Sequence, residues 1–286
     1  MTDIDYRAPS RLDEAIALLA GEGARSLAGG TDLMVQMRSG RLNPGRIVDL
    51  KRIPEMLGVR EVAGGFEIGA ATACAAIGEH AALAAAWPGV VEAARLIGSA
   101  QVQGRASLGG NLCNASPAAD SAPALIAAGA VCLIAGPAGQ RELPVELLQA
   151  GPGRNALAAG EVLVALRLPA RAPRSGDAYL RLIPRTEMDI AVVGAGVSLS
   201  VDAQGVVSAA RVALGAVAPT ALRVDAAAKA LVGTRLEAPA LKALQAAARA
   251  ACRPIDDKRG TAAYRTRVAG VLARRAALQA YERACA

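Results

Sequence analysis

The chain has 286 residues, of which 32 are Lys or Arg, 25 are Asp or Glu, and one is His. This length allows a sizeable core in two or three subdomains, and the single His80 nearly excludes a histidine-based triad or metal centre. Scattered basic residues and an aromatic content of only 2% disfavour nucleic-acid binding, which combines basic and aromatic side chains.

Residues 1–56 are predicted to form a small α/β subdomain. Apolar residues at helical spacing predict a helix over residues 12–19, with Ser10 as its N-cap. A strand at 26–28, a helix from Leu33 to near Gly40 and a strand at 46–50 follow. Gly21 and Gly23 separate the first helix from the first strand.

Residues 57–172 are predicted to form a second unit of strands and helices. The pattern predicts a hairpin over 62–70 around Gly64 and Gly65, and strands at 131–134 and 163–168. Helices are predicted over 72–77, 88–96 and 122–128, with a long loop before the last of them. Residues 137–140 carry a turn signal.

Residues 173–286 are predicted to form a third unit, after a linker at 170–176 that is rich in Pro, Arg and Gly. Three antiparallel strands are predicted over 178–182, 190–201 and 206–217. Helices are predicted over 224–231, 239–251 and 261–283. The complete order predicts an α+β protein. The last helix is densely basic around Arg274, Arg275 and Arg283, which indicates either a solvated face or a contact to an acidic partner.

The cysteine spacing argues against a metal site in this chain. None of the five cysteines forms a C-x-x-C or ferredoxin-like pattern, so neither zinc nor an iron–sulfur cluster is expected here. The odd count and the absence of a recognisable signal peptide favour the cytoplasm. The longest apolar run, residues 124–135, is too short to span a bilayer, so no membrane insertion is expected. The cysteines are Cys74, Cys113, Cys132, Cys252 and Cys285.

Two glycine-rich segments are the candidate ligand-binding motifs of the sequence. Residues 28–33 read AGGTDL and follow a strand-like run, whereas residues 107–120 read SLGGNLCNASPAAD and offer small polar side chains and one carboxylate. Glycine lets backbone amides approach a ligand closely, so both segments suit a diphosphate, with Asp120 suited to a ribose diol. Neither segment is a Walker A loop or a G-x-G-x-x-G motif. The alternative for the second segment is a surface loop rich in small residues.

With both segments in place, the chain resembles the FAD-binding medium subunit of molybdenum-containing hydroxylases, the xanthine dehydrogenase and carbon monoxide dehydrogenase family. Further matching segments are MDIAVV at 188–193, Tyr264-Arg265, and LARRA at 272–276, in family order over nearly the whole chain. The resemblance implies a two-part α/β FAD-binding region of the vanillyl-alcohol-oxidase, PCMH-like type. A C-terminal three-stranded antiparallel sheet with helices would follow, like that of the carbon monoxide dehydrogenase flavoprotein.

The resemblance also implies which residues bind FAD. The two glycine segments would grip the diphosphate, Asp120 would hold the adenosine ribose, and Arg181 would lie near the adenine. Ile97 and Ile190 would lie beside the flavin ring, although ordinary core packing is the alternative for both. The implied cofactor-binding residues are Ala28, Gly29, Gly30, Thr31, Asp32, Leu33, Ile97, Ser107, Gly109, Gly110, Asn111, Asn114, Asp120, Arg181 and Ile190.

The function implied by the resemblance is electron transfer within a complex. A large subunit would hold the molybdenum cofactor, and a small subunit would hold two [2Fe-2S] clusters that reduce the FAD of this chain. An (αβγ)2 heterohexamer is expected, and no residue of this chain is expected to be catalytic. A stand-alone FAD-dependent oxidase of the vanillyl-alcohol-oxidase type and a non-enzymatic nucleotide-binding module are the alternatives. The substrate and the terminal acceptor lie outside what the sequence indicates.

Overall fold

The computed structural model describes residues 4–62 and 64–286, and these form three successive α/β units. The first unit holds a parallel three-stranded sheet in the order β1-β3-β2. Arg11, not Ser10, occupies the N-cap of the first helix and pairs with Asp13, so the predicted cap is wrong. The elements are β1 Asp5–Arg7, α1 Leu12–Leu19, β2 Ala24–Leu27, α2 Leu33–Arg38 and β3 Arg46–Asp49.

The second unit holds an antiparallel sheet with five strands in the order β4-β5-β10-β6-β7. The predicted hairpin lies at β4 and β5, although its Ala63 is outside the described residues. Its strands are β4 Val59–Val62, β5 Gly65–Gly69, β6 Val131–Gly136, β7 Gly139–Pro144 and β10 Val162–Pro169, and a separate hairpin pairs β8 Gln149–Gly151 with β9 Arg154–Asn155. Short 3-10 turns occupy Pro54–Met56 and Val145–Leu147.

Six helices of the second unit lie between β5 and β6 in the chain. They are α3 Cys74–Glu79, α4 Ala81–Ala86, α5 Pro88–Leu96, α6 Ala100–Gln103, α7 Leu108–Cys113 and α8 Ser121–Ala128. Helices α7 and α8 contact β10, and α8 also contacts the third unit. The loop predicted before α8 is therefore wrong in part, because the second glycine segment contains α7. Ser107 begins this helix, since its hydroxyl oxygen accepts a hydrogen bond from the Gly110 amide at 3.1 Å.

The third unit holds the predicted antiparallel sheet, with a two-residue fourth strand added at its edge. The long helices α10 and α11 pack together, and α11 lies against β11 and β12. The strands are β11 Ser175–Leu182, β12 Val193–Val201, β13 Val207–Gly215 and β14 Leu222–Arg223, and the helices are α9 Asp225–Lys229, α10 Ala238–Ala251 and α11 Ala262–Cys285. Residues 190–192, predicted as strand, precede β12 as coil.

Helix α8 joins the second unit to the third. All eight of its residues are buried. A side chain at Gly196 of β12 would meet the backbone of Pro123, so glycine lets the third sheet approach this helix closely. Arg211 of β13 donates to the carbonyl of Ile126 at 3.0 Å. The end of the second glycine segment is therefore held between two units.

Arg283 also joins these two units. Its guanidinium pairs with Glu92 of α5 and donates to the main-chain carbonyl of Asp177 at 2.7 Å. Arg283 was expected, together with Arg274 and Arg275, either to be solvated or to contact an acidic partner. This expectation is wrong for Arg283, because its guanidinium is engaged within the chain. In the part of the chain that the structure describes, no helix combines the length and apolarity needed to cross a membrane.

Candidate cofactor site

A cavity of about 710 Å³ lies where the first and second units meet, and both glycine segments line it. This volume is in the range of small-molecule and cofactor sites. Parallel strand β2 leads directly into the first glycine turn, and α7 carries the second segment. The fold thus brings together two segments that lie about 80 residues apart in the sequence.

The first glycine turn packs directly on the chain before the second segment. A Cβ atom at Gly29 would overlap the carbonyl oxygen of Arg105 and lie 2.6 Å from its carbonyl carbon. Gly30 has a φ of 81°, which L-residues with a side chain rarely adopt. Glycine is therefore required at 29 by close approach and at 30 by backbone conformation.

Backbone amides of the first turn are free to bind a ligand. Within the described residues, the amides of Gly29, Gly30, Thr31 and Asp32 have no acceptor in the protein. Helix α2 begins immediately after them, so its dipole adds to the positive potential at this point. An unsatisfied row of amides beside a cavity is the geometry that binds a phosphate oxygen.

The second segment presents a different surface to the cavity. Gly109 packs against the sheet, because a Cβ atom there would lie 2.5 Å from the carbonyl oxygen of Ala70. At Gly110 a Cβ atom would meet only the Ser107 hydroxyl, at 3.1 Å. Since Gly110 also lines the cavity, its missing side chain leaves space for a ligand.

Side-chain amides fix the two segments relative to each other. Gln36 of α2 donates from Nε2 to Oδ1 of Asn114 at 2.9 Å, which ties the first segment to the second. Oδ1 of Asn111 accepts from the hydroxyl of Ser121 at 2.6 Å and from its amide at 3.2 Å. Both asparagines therefore hold the site together as well as lining it.

Comparison with known proteins decides the family. Residues 2–171 match the model of the FAD binding domain in molybdopterin dehydrogenase, and residues 178–280 match that of the CO dehydrogenase flavoprotein C-terminal domain. The chain belongs to this family of FAD-binding medium subunits of molybdenum hydroxylases. The predicted identity as a flavoprotein oxidoreductase subunit is confirmed, and the family disfavours the stand-alone oxidase.

Three relatives illustrate the similarity. The carbon monoxide dehydrogenase medium chain of Hydrogenophaga pseudoflava is 37% identical over 281 residues, which are 98% of this chain and 97% of the relative. The xanthine dehydrogenase FAD-binding subunit of Escherichia coli O157:H7 is 33% identical over 221 residues, covering 76% and 75%. The solved Cu,Mo-CO dehydrogenase matches with a TM-score of 0.94 and 37% identity, covering 98% of both chains.

Most of the cofactor-binding residues that the sequence predicts in this medium subunit line one cavity. Twelve do so: Ala28, Gly29, Gly30, Thr31, Asp32, Leu33, Ile97, Ser107, Gly109, Gly110, Asn111 and Asn114. Asp120, Arg181 and Ile190 are not among the described residues that line it. Ile190 is 51% exposed on the connection between β11 and β12, so core packing, its alternative role, is excluded.

Asp120 lies at the junction with the third unit of the medium subunit. Its Oδ1 accepts from the Tyr179 hydroxyl at 2.9 Å, and its Oδ2 pairs with Arg181 at 2.7 Å. Burial raises the pKa of Asp120 to about 6, an effect that the Arg181 charge opposes. At neutral pH the carboxylate is therefore mostly ionised and joins the end of the second segment to β11.

The hairpin of β8 and β9, which was not predicted from the sequence, forms a further wall of the cavity. Asn155 donates from Nδ2 to the carbonyl of Cys113 at 2.8 Å, and the Gly153 amide donates to that of Ala115 at 3.0 Å. Both carbonyls lie at the end of α7, so the hairpin satisfies them. Val162 and Leu163 of β10 also line the cavity and were missed. Apolar strand residues carry no sequence signal that distinguishes a ligand contact from core.

Two features set the charge of the cavity in this medium subunit. Arg25 and Arg154 are exposed side chains on its lining, and both suit an anionic ligand. Asp32 also lines this space, and desolvation raises the pKa of its carboxyl group. The free amides, the small residues and the apolar side chains of Ile97 and Leu163 together fit a dinucleotide with a ring system.

Proposed function

We propose that the cavity binds one FAD non-covalently through the twelve predicted residues that line it, and that Asp120, Arg181 and Ile190 contact parts of FAD that extend beyond the cavity. The observation that supports this most is the meeting of the two glycine segments, where the free amides at 29–32 and the missing Cβ atom of Gly110 leave room for a diphosphate. Bound FAD accepts electrons and passes them on, so it supplies the redox chemistry. The protein supplies binding, orientation and electrostatics.

The residues of this chain perform three tasks in the proposed site. Amides at 29–32 hold anionic oxygens, and the missing side chain of Gly110 lets the ligand reach the backbone of α7. Ile97 and Leu163 exclude water from an apolar ring system. Gln36 and Asn114 keep the two segments at a constant separation, which pre-organises the site.

The partners follow from the family. Medium subunits of this kind belong to multi-subunit molybdenum hydroxylases with a large and a small partner, and the proposal for this chain is an (αβγ)2 assembly in the cytoplasm. The large partner would hold the molybdenum cofactor, and the small partner would hold two [2Fe-2S] clusters.

The proposed domain limits are 1–56, 57–172 and 173–286, supported by the three successive sheets.

Purification of the tagged chain from its native host tests the proposed function. The expected result is a yellow complex that contains FAD, molybdenum and iron, with two further subunits. The isolated chain should bind FAD and show no turnover. A monomer that carries no such companions and oxidises a substrate unaided would show that the chain is a stand-alone oxidase.

Acid precipitation should release all of the flavin into the supernatant. The structure supports this because the cavity's reactive candidate, the half-buried Cys113, has a thiol whose pKa desolvation raises to about 12, so a nucleophilic thiolate is disfavoured. The absorbance of flavin in the supernatant and in the pellet measures the outcome. Flavin that stays with the precipitated protein would contradict non-covalent binding.

Asp120→Ala should weaken the binding of FAD about 10- to 150-fold and leave FMN nearly unaffected. Each carboxylate oxygen has two lone pairs, so Asp120 retains acceptor capacity beyond its bonds to Tyr179 and Arg181. A charge-assisted bond to a ribose hydroxyl contributes about 1.5–3 kcal/mol, and FMN lacks that ribose. Fluorescence titration of the apoprotein gives both affinities.

Tyr179→Phe is the matched control for that substitution. It removes the hydroxyl that bonds Asp120 but leaves the ring and the carboxylate in place. We expect it to preserve the preference for FAD over FMN. If both substitutions weaken FAD and FMN equally, Asp120 acts only by holding the second segment to β11.

A further inference from the structure

The net positive charge of the chain arises from its last two helices and the segment between them. Residues 238–286 contain ten Lys and Arg but three Asp and Glu, an excess of seven. The whole chain has the same excess of seven, so the preceding 237 residues are balanced, with 22 residues of each sign. Such a concentration of charge on one part of a fold steers association with an oppositely charged surface.

Part of this charge is neutralised within the chain. Arg259 pairs with Asp189 at 2.8 Å, Arg265 pairs with Asp257 at 2.7 Å, and Arg283 pairs with Glu92. Seven other cations are exposed and, among the described residues, have no carboxylate within salt-bridge distance. One of them, Arg253, donates to the main-chain carbonyls of Ala250 at 2.8 Å and Cys252 at 2.6 Å. The remaining six form what we call the basic surface: Lys242, Arg249, Lys258, Arg267, Arg274 and Arg275.

Three guanidinium groups of the basic surface share one face. A Cβ atom at Gly270 of α11 would lie 2.7 Å from Nε of Arg249, so the Arg249 side chain from α10 crosses α11 at this glycine. Arg267 and Arg274 lie three residues before and four residues after Gly270, which places them on the same face of the helix. Like charges on one face repel each other, and no carboxylate among the described residues lies within salt-bridge distance of these three guanidinium groups.

One exposed apolar side chain borders the same face, and a second lies in the segment that links α10 to α11. Tyr264 is 47% exposed and lies one turn before Arg267 on α11, and Ile255 in the segment before the helix is 71% exposed. Tyrosine and arginine together are characteristic of protein–protein interfaces, where the ring packs and the guanidinium bonds carboxylates. A surface that serves only for solvation does not require these two apolar groups.

We propose that the basic surface docks an acidic face of another subunit of the same complex. This inference rests on the proposed function, because it needs a multi-subunit assembly. A second copy of this chain does not fit, since its basic surface would repel this one and the rest of it has no excess of acid. Nucleic acid does not fit either, because its binding surfaces stack bases on several exposed aromatic side chains. Residues 238–286 contain two aromatic residues, the exposed Tyr264 and the half-buried Tyr281.

Charge reversal in the assembled complex tests this inference. The double variant Arg267→Glu, Arg274→Glu, expressed with a tag in the native host, should lose about tenfold or more of its affinity for the other subunits. The wild-type complex should dissociate progressively as the salt concentration rises, because screening weakens contacts between exposed charges. The amounts of the other subunits that co-elute, and the FAD content of the tagged chain, are measured at each salt concentration.

Lys229→Glu, Arg235→Glu is the matched control. Both residues are exposed in the third unit, outside the basic surface, and the charge changes by the same amount. We expect this variant to assemble like the wild type and both double variants to keep their FAD. If Arg267→Glu, Arg274→Glu assembles normally, the inference is wrong while the proposed function stands. If the wild type has no companion subunits at any salt concentration, the proposed function itself fails.

Zero-length carbodiimide cross-linking locates the contact. The reagent joins a lysine amine to a carboxylate, so Lys242 and Lys258 should link to Asp or Glu of another subunit in the intact complex. Lys242→Arg, Lys258→Arg keeps the charge and should abolish these links without weakening assembly. Links only within this chain, or binding of DNA through these residues with unchanged assembly, would overturn the inference.

Discussion

Gly29→Ala should abolish FAD binding, although it adds a single methyl group. That methyl group would overlap the carbonyl oxygen of Arg105 and lie 3.0 Å from the Cα atom of Ala106. Both are backbone atoms and have no rotamer by which to move aside, so the two glycine segments must separate. Overpacking of this kind costs about 1–3 kcal/mol in stability, and the free energy of FAD binding falls further because the amides at 29–32 move.

The ratio of FAD to protein after purification measures this effect, and we expect less than about a tenth of the wild-type ratio. Gly45→Ala is the control, since its added Cβ atom would have no neighbour within 4 Å. It should retain full FAD content. A Gly29→Ala protein that is fully loaded with FAD would show that the two segments do not need their present separation.

Gly110→Val should also abolish FAD binding, but for a different reason and with little loss of stability. A left-handed backbone is not the cause, because Gly110 lies within α7. Its Cβ atom would contact only the hydroxyl of Ser107, so the chain tolerates the side chain and the valine methyl groups occupy the cavity. Replacing a helical glycine also removes its entropic penalty of about 0.5–1 kcal/mol, which offsets part of the strain.

Titration of the apoprotein with FAD, combined with urea unfolding, separates the two effects. Gly110→Val should bind no measurable FAD while its unfolding midpoint stays close to that of the wild-type apoprotein. Cys113→Ala on the same helix is the control, because the Asn155 contact uses the main-chain carbonyl of Cys113. It should bind FAD normally. Equal FAD affinity in Gly110→Val and the wild type would exclude this helix from the site.

The two substitutions distinguish two ways in which a glycine serves this site. Gly29 allows one part of the protein to approach another, so its replacement should lower both stability and FAD binding. Gly110 leaves space for the ligand, so its replacement should lower FAD binding alone. A binding assay without a stability measurement would not separate these roles.

The sequence by itself determined the family, the fold class and most of the elements. Periodicity of apolar residues located α5, α10 and α11 and the three long strands of the third unit, because these patterns depend on local spacing. The glycine segments at 28–33 and 107–120 were recognisable because close backbone packing excludes side chains at Gly29 and Gly109, while Gly110 leaves space in the cavity. Helix α7 was not recognised, since two adjacent glycines are unfavourable in a helix. The Ser107 cap, the contact with Ala70 and the burial of Leu108 and Leu112 stabilise it.

The tertiary structure alone decided how the site is enclosed. The hairpin of β8 and β9 reaches the end of α7 through hydrogen bonds to main-chain carbonyls, and such bonds leave no pattern in the sequence. The pairing of Asp120 with Tyr179 and Arg181 joins residues about sixty positions apart in the sequence. The contact of Arg283 with Glu92 joins residues that are still farther apart. Partners of this kind depend on how whole units pack, so local sequence determined which residues are available and long-range packing decided which of them meet.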